Sequence, residues 1–199
     1  MSGAPELVAV RHAEVTARWS GRCYGAIDVE VQPGAAEAAA LVLPLLERAP
    51  SQLWTSPLER CRSLAEELAA ELDVPLTIDD SLTEVDHGAF EGRAWDDIHA
   101  EQPAELARWG EHWRDEGPPG GESARALEAR IRAWHDRLSN PPARHLLVAH
   151  AGAVRALRVV REGLEWEAAM ASRVPHLIPL ALPGRDFRRL RREGPGPRA

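Results

Sequence analysis

The chain is 199 residues long, with 44% apolar and 28% charged residues and a net charge of −7; it is sized for one globular domain that folds without a metal or disulfide. The apolar stretch at 38–46 is broken by Pro44 and far too short for a membrane span, residues 1–10 carry no basic leader, and Cys23 and Cys61 give neither a bridge pattern nor metal-ligand spacing, so a cytoplasmic protein without membrane attachment is expected. Every basic residue is arginine; six fall at 185–199 beside Asp186 and Glu193, putting that tail at +4 and the remainder at −11, which argues against a nucleic-acid partner.

Residues 6–10 (ELVAV) read as a short buried strand that stops at Arg11-His12. Residues 34–48 read as an alanine-rich helix between Pro33 and Pro50, and 52–55 as a second strand. Ser56-Pro57-Leu58-Glu59 then carries a helix-start signature, with Ser as cap and Pro at the first position. Leu58, Cys61, Ala65, Leu68 and Leu72 follow at helical spacing. Residues 74–78 read as a strand, 79–93 as a polar, glycine-containing loop, and 95–102 and 104–114 as helices. The turn-forming stretch 116–122 precedes a long helix at 123–138, with a stop at 139–142. Residues 145–149 (HLLVA) form another buried strand ending at a histidine; a helix at 153–161 and a strand at 177–182 complete the chain.

Strands alternating with helices predict a three-layer α/β/α domain around a mostly parallel sheet. One domain spans 1–184, and 185–199 form a basic tail, read as an edge strand and a frayed end. Residues 95–119 carry Trp95, Trp109 and Trp113 and fit the alternation least well; they read as a helical flap over a sheet edge or as a lid over a site.

In such sheets ligands sit beyond the carboxyl ends of the strands, where helix N-termini also point. His12 and His150 each end a predicted strand, Arg11 precedes His12, and Arg60 lies in the first turn after the 52–55 strand. Taken singly, a strand-end histidine also reads as a satisfied structural residue, and Arg60 as a surface partner of Glu59 or Asp79. Together on one edge they would bind a phosphate dianion. Glu84 and His87 have the three-residue spacing of carboxylate-bridged metal sites, but only one such pair is present and Gly88 follows at once. No metal and no cofactor is therefore expected.

Val8-Ala9-Val10-Arg11-His12-Ala13-Glu14 is similar to a strand running into Arg-His-Gly-Glu, and Ser56-Pro57-Leu58-Glu59-Arg60-Cys61 to Ser-Pro-Leu-x-Arg-Ala. Glu84 to Gly92 is similar to Glu-x-x-x-Gly-x-Trp-Glu-Gly, Gly120-Gly121-Glu122-Ser123 to a Gly-Glu-Ser before a helix, and Val148-Ala149-His150-Ala151-Gly152 to Val-Ser-His-Gly-Gly. In this order the five blocks resemble the histidine phosphatase superfamily, in its phosphoglycerate mutase-like branch. The resemblance implies His12 as nucleophile, Arg11, Arg60 and His150 as ligands of the transferring phosphoryl group, and Glu84 as acid and then base. Ala13 and Ala151 stand where the pattern has glycine, and Phe90 where it has tryptophan.

Residues 21–29 resemble the Gly-x-Cys-Tyr-Gly-x-x-Asp-Val stretch of bacterial α-ribazole phosphatases, which implies hydrolysis of a small-molecule phosphate ester in cobalamin synthesis, or a broad phosphatase. Tyr24 and Cys23, with Gly25 and Ala151, would then line the substrate pocket; the other reading has Tyr24 packing its loop and Cys23 as a small buried apolar residue. A phosphoglycerate mutase-type transferase and a non-catalytic phosphate binder are the alternative functions. A phosphatase acting on proteins would need an open groove, against which residues 95–119 argue. The sequence is compatible with a homodimer and carries no signal of oligomeric state.

Overall fold

A computed structural model of the protein describes residues 6–138 and 143–184; the expected helix stop at 139–142 and the basic tail lie outside the described residues. In chain order the strands are β1 (Glu6–Arg11), β2 (Glu14–Val15), β3 (Val31–Gln32), β4 (Gln52–Thr55), β5 (Leu76–Ile78), β6 (Arg144–Ala149) and β7 (Leu180–Ala181). The α-helices are α1 (Ala35–Val42), α2 (Glu59–Leu72), α3 (Trp95–Glu101), α4 (Pro103–His112), α5 (Ala124–Asp136), α6 (Ala151–Glu162) and α7 (Trp166–Ala171).

The main sheet has the order β5-β4-β6-β1-β7, while β2 and β3 form a separate antiparallel pair. All neighbours in the main sheet run parallel except β1 and β7. Alternation along the two central strands builds the layers. Leu7, Ala9, Leu147 and Ala149 face a core shared with Ile131, Trp134, Val154 and Leu157 of α5 and α6. Val8, Val10, Leu146 and Val148 face the opposite core, with Ala38 and Val42 of α1 and Leu64 and Leu68 of α2. This is the expected α/β/α architecture, and it puts the ends of β1, β4 and β6 side by side.

Several element boundaries differ from those expected. The helix of 34–48 ends at Val42 and tightens into a 3₁₀ turn at Leu43–Leu45, where Pro44 supplies no N–H. α2 begins at Glu59 rather than beside Ser56, because the Ser56 hydroxyl is used elsewhere: it accepts the Leu58 N–H at 3.2 Å and lies 2.9 Å from His150 Nε2. Asp28 Oδ1, from a distant loop, accepts the Glu59 N–H at 2.7 Å. α6 starts at Ala151, two residues earlier than expected. The strand expected over 177–182 shrinks to β7, because Leu177 turns into the left-handed region at φ +57° and gives its N–H to the Arg11 carbonyl at 3.0 Å. The β2–β3 pair and α7 had no counterpart in the sequence reading. α3 and α4 lie over the small Cys23–Phe90–Ile98 cluster, with Trp95 stacked on Trp109 at 6.3 Å.

Candidate active site

β1 and β6 pair in register with Arg11 opposite Ala149, and the His12 N–H reaches the Ala149 carbonyl at 3.2 Å. His12 and His150, one residue beyond each strand, therefore meet with ring centroids 5.3 Å apart. Both are buried, as is Arg60 at the start of α2. Thr55, at the end of β4, gives its hydroxyl to the Val148 carbonyl at 3.1 Å, which ties the third strand end to the second.

His12 Nδ1 lies 2.7 Å from the Ala13 carbonyl. A carbonyl only accepts, so Nδ1 carries the hydrogen and Nε2 keeps a free lone pair. Burial first, and then the Arg60 and Arg11 guanidinium groups, hold the His12 imidazolium well below its ordinary range. The same causes, burial and then Arg60, lower His150. Both rings are thus neutral near pH 7, and a neutral imidazole with a free lone pair is a nucleophile.

Arg60 Nη1 donates to the Ile27 carbonyl at 2.7 Å and Nη2 to the Gly25 carbonyl at 2.5 Å. Arg11 Nη1 donates to the Val174 carbonyl at 3.1 Å. The Nε–H of each is buried without a protein acceptor among the described residues. Glu84 arrives from the loop after β5: its carboxylate accepts the Gly152 N–H at the first turn of α6 at 3.0 Å and its neighbour Val85 N–H at 3.0 Å. All five residues expected to carry chemistry therefore lie at the same end of the sheet.

The four expected pocket residues divide. Tyr24 lies beside the site, its ring 6.0 Å from the Arg60 guanidinium carbon and 6.5 Å from Trp19. Cys23 instead turns into the cluster with Phe90 and Ile98, where burial and then Glu91 push its thiol up to about 12; it packs. Gly25 is a spacer: a Cβ there would fall 1.9 Å from the Val85 carbonyl oxygen, and its own carbonyl anchors Arg60. Ala151 is buried at the start of α6, and its methyl joins the α5–α6 core, while that of Ala13 joins the opposite core. Phe90 is buried and meets Trp109 edge to face at 6.1 Å, so the smaller ring is accommodated.

Other supporting residues escaped sequence reasoning. His176 donates from Nδ1 to the His12 carbonyl at 2.7 Å and its ring lies 5.4 Å from that of His12; it comes from an irregular segment with no motif. Glu91 accepts the N–H groups of Gly25, Ala26 and His87, each at 2.9 Å, clamping two loops together. Arg130 bonds Glu122 in a fork and donates to the carbonyls of Ser81, Thr83 and Glu84. Glu91 and Glu122 did stand inside recognised blocks, but nothing in the sequence spacing paired them with these partners. Glu84 and His87 line the same small cavity, His87 facing Trp109 at 5.5 Å, and among the described residues no group of three or more His, Cys, Asp or Glu could hold a metal ion.

A buried pair of neutral histidines, two arginines and a carboxylate at the parallel strand ends defines a phosphoryl-transfer enzyme. The chain belongs to the histidine phosphatase superfamily (branch 1), whose family model matches residues 7–177. It is 26% identical over 166 residues to phosphoserine phosphatase 1 of Hydrogenobacter thermophilus, covering 80% of this chain and 77% of that protein. It is 30% identical over 191 residues to a 2,3-bisphosphoglycerate-dependent phosphoglycerate mutase of Beijerinckia indica, covering 87% and 89%. Among solved structures it resembles the α-ribazole phosphatase of Shigella flexneri at a TM-score of 0.80 and 25% identity, over 88% of this chain and 89% of that one. No described helix is long and apolar enough to cross a membrane.

Proposed function

We propose that the chain hydrolyses a small-molecule phosphomonoester in the cytoplasm through a phosphohistidine at His12, with α-ribazole 5′-phosphate as the substrate. The observation that carries the mechanism is the His12 ring itself: Nδ1 is committed to the Ala13 carbonyl, and Nε2 is neutral and free beside Arg11, Arg60 and His150. In the first step Nε2 attacks phosphorus, the bond from phosphorus to the ester oxygen breaks, and Glu84 gives its proton to the departing oxygen. In the second, Glu84 takes a proton from water, the water oxygen attacks phosphorus, and the phosphorus–nitrogen bond breaks to release inorganic phosphate and restore His12.

The unpartnered Nε–H groups of Arg11 and Arg60 suit the equatorial oxygens, where fixed donors stabilise the spread negative charge. His150 supplies a further donor from the cap position of α6, oriented by Ser56. The substrate assignment rests on the likeness of residues 21–29 to α-ribazole phosphatases and on the similar solved structure. Within that segment Gly25 and Asp28 support Arg60 and α2, which leaves Tyr24 as the member facing the site. A mutase is the second reading, favoured by the 30% identity to the Beijerinckia indica protein.

The test is phosphate release, in chelator, from α-ribazole 5′-phosphate, 3-phosphoglycerate, simple sugar phosphates and p-nitrophenyl phosphate, with rapid quenching to trap label on His12. Hydrolysis that survives chelation and vanishes in His12→Ala is expected, with kcat/KM greatest for the ribazole ester. Isomerisation of phosphoglycerate outpacing phosphate release would establish the mutase instead.

A further inference from the structure

Two cavities flank the site. One, of about 600 Å³, is lined by Glu14, Trp19, Tyr24 and His176 and by the polar loop between them. The other, of about 220 Å³, has Glu84 and Gly152 at its base, Trp109, Trp113, Trp166 and Met170 around it, and Arg155 facing it from α6. In-line displacement fixes which of the two receives the alcohol. The ester oxygen departs opposite the attacking nitrogen and must lie within hydrogen-bond reach of the group that protonates it. Because Glu84 lines only the smaller cavity of these two, the leaving group extends there, away from Tyr24.

The walls of that cavity have a definite chemistry. Trp113 and Trp166 meet edge to face at 5.9 Å, and Trp109 is fixed by stacking on Trp95, so the indoles form a firm apolar surface suited to a planar ring. Arg155 stands outside the ion pairing around it. Arg125, Arg130, Arg132 and Arg158 on α5 and α6 each have a carboxylate partner. Arg155 has no hydrogen-bond or ion-pair partner among the described residues, and its Nε is buried. It stands three residues after Gly152, on the same helix face as the N–H that holds Glu84. An unpaired buried donor one turn beyond the acid calls for an acceptor on the substrate close to the ester carbon.

We propose that the tryptophan-lined cavity is the leaving-group subsite, selecting phosphomonoesters whose alcohol carries an aromatic ring and an oxygen acceptor near the ester, with Arg155 holding the oxygen and Trp113 and Trp166 the ring. The inference rests on Glu84 being the acid of the proposed hydrolysis. It assigns ring recognition to Trp113 and Trp166 in place of Tyr24.

The test compares kcat/KM for α-ribazole 5′-phosphate and for ribose 5-phosphate, which lacks the ring, with O-phosphoserine and p-nitrophenyl phosphate alongside. The ring should raise kcat/KM about tenfold or more, the scale of one aromatic stacking contact, and Trp166→Ala should bring that ratio towards one. Met170→Glu, at the exposed mouth, should do the same and covers the case in which Trp166→Ala does not fold. Arg155→Met should lower kcat/KM for both sugar esters. A wild-type ratio of one, or a ratio kept in folded Trp166→Ala and Met170→Glu proteins, overturns the subsite. Preference for O-phosphoserine, lost in Arg155→Met, overturns it too, by making the cavity a carboxylate site. If p-nitrophenyl phosphate is turned over in those cases the hydrolase reading stands; if no ester yields phosphate, that reading and this one fall together.

Discussion

The Glu84 carboxylate and the Gly152 backbone fit each other with no room to spare: the Gly152 N–H donates to Oε2 at 3.0 Å, and a Cβ on residue 152 would lie 2.2 Å from Oε1. The first turn of α6 thus holds the carboxylate by a hydrogen bond and by the positive end of the helix, and residue 152 must be glycine for the two to approach. Gly152→Ala should displace the carboxylate and lower kcat by about 10²-fold, the cost of misplacing a reacting group by an ångström. Gly110→Ala is the matched control. Gly110 lies in α4 with nothing near its would-be Cβ, so activity should hold while stability rises by about 0.5–1 kcal/mol. Steady-state kinetics and thermal melts on the two variants decide it, and wild-type kcat in Gly152→Ala would remove Glu84 from its proposed role.

The residues of this arrangement differ in how far the sequence reveals them. Val8 to His12 and Leu146 to His150 are legible because a buried parallel strand is a near-continuous apolar run, and its end is where polarity returns. Their adjacency follows from the α/β pattern, but the register that sets the two imidazoles 5.3 Å apart is a property of the folded sheet. Ser56 shows why local rules misplace a boundary: its cap signature is genuine, yet its hydroxyl is engaged by both the Leu58 N–H and His150, and Asp28 caps the helix from thirty-one residues away. His176 and Arg130 were out of reach, since each acts on a backbone carbonyl far along the chain and no spacing encodes that meeting.

Arg60 is held by two carbonyls, those of Gly25 and Ile27, while its Nε–H has no protein acceptor among the described residues. The planar fork bonds the two carbonyls through its terminal nitrogens and presents Nε–H from a separate, fixed position, whereas the three donors of a lysine share one nitrogen. Arg60→Lys, though it keeps the charge, should lower kcat/KM by about 10²-fold, as loss of one preorganised donor does, and should weaken inhibition by inorganic phosphate. Inhibition and turnover at wild-type levels in the lysine variant would show that charge alone suffices.

Arg130 joins Glu122 to three carbonyls in the segment that delivers Glu84, and both charged side chains are mostly buried, at 24% and 16% exposure. Removing the guanidinium leaves a carboxylate and three carbonyls without their donor. Arg130→Met should cost about 2–3 kcal/mol, less than for a completely buried pair because some solvent remains. For a domain of this size that is a fall in Tm of about 5–10 °C. Because the loop carrying Glu84 loosens, kcat should fall more than KM changes. A variant with lowered Tm and unaltered kcat would confine Arg130 to stability.

Acid should destabilise the protein through its buried imidazoles, and the sign follows from the direction of their shifts. His12 and His150 are well below the ordinary value of 6.5, burial being the largest cause for each, and burial also lowers His135, His145 and His176. Above pH 6.5 the folded and unfolded chains both hold these rings neutral, so their contribution to stability is complete. As the pH falls below 6.5 the unfolded chain takes up protons that the folded chain refuses, and that stability is lost at about 1.4 kcal/mol per pH unit for each fully titrating ring until its folded value is reached. Urea midpoints followed downward from about pH 7.5 should therefore be flat at first and then fall. His150→Gln, which removes one such ring, should make the decline shallower. Activity should respond at lower pH than stability, because His12 stays neutral through 6.5 and the acid limb of kcat/KM that it controls lies below that value. Urea midpoints independent of pH, together with an acid limb centred at 6.5, would mean that the folded protein leaves its histidines at their ordinary values, and the neutral nucleophile would lose its physical basis.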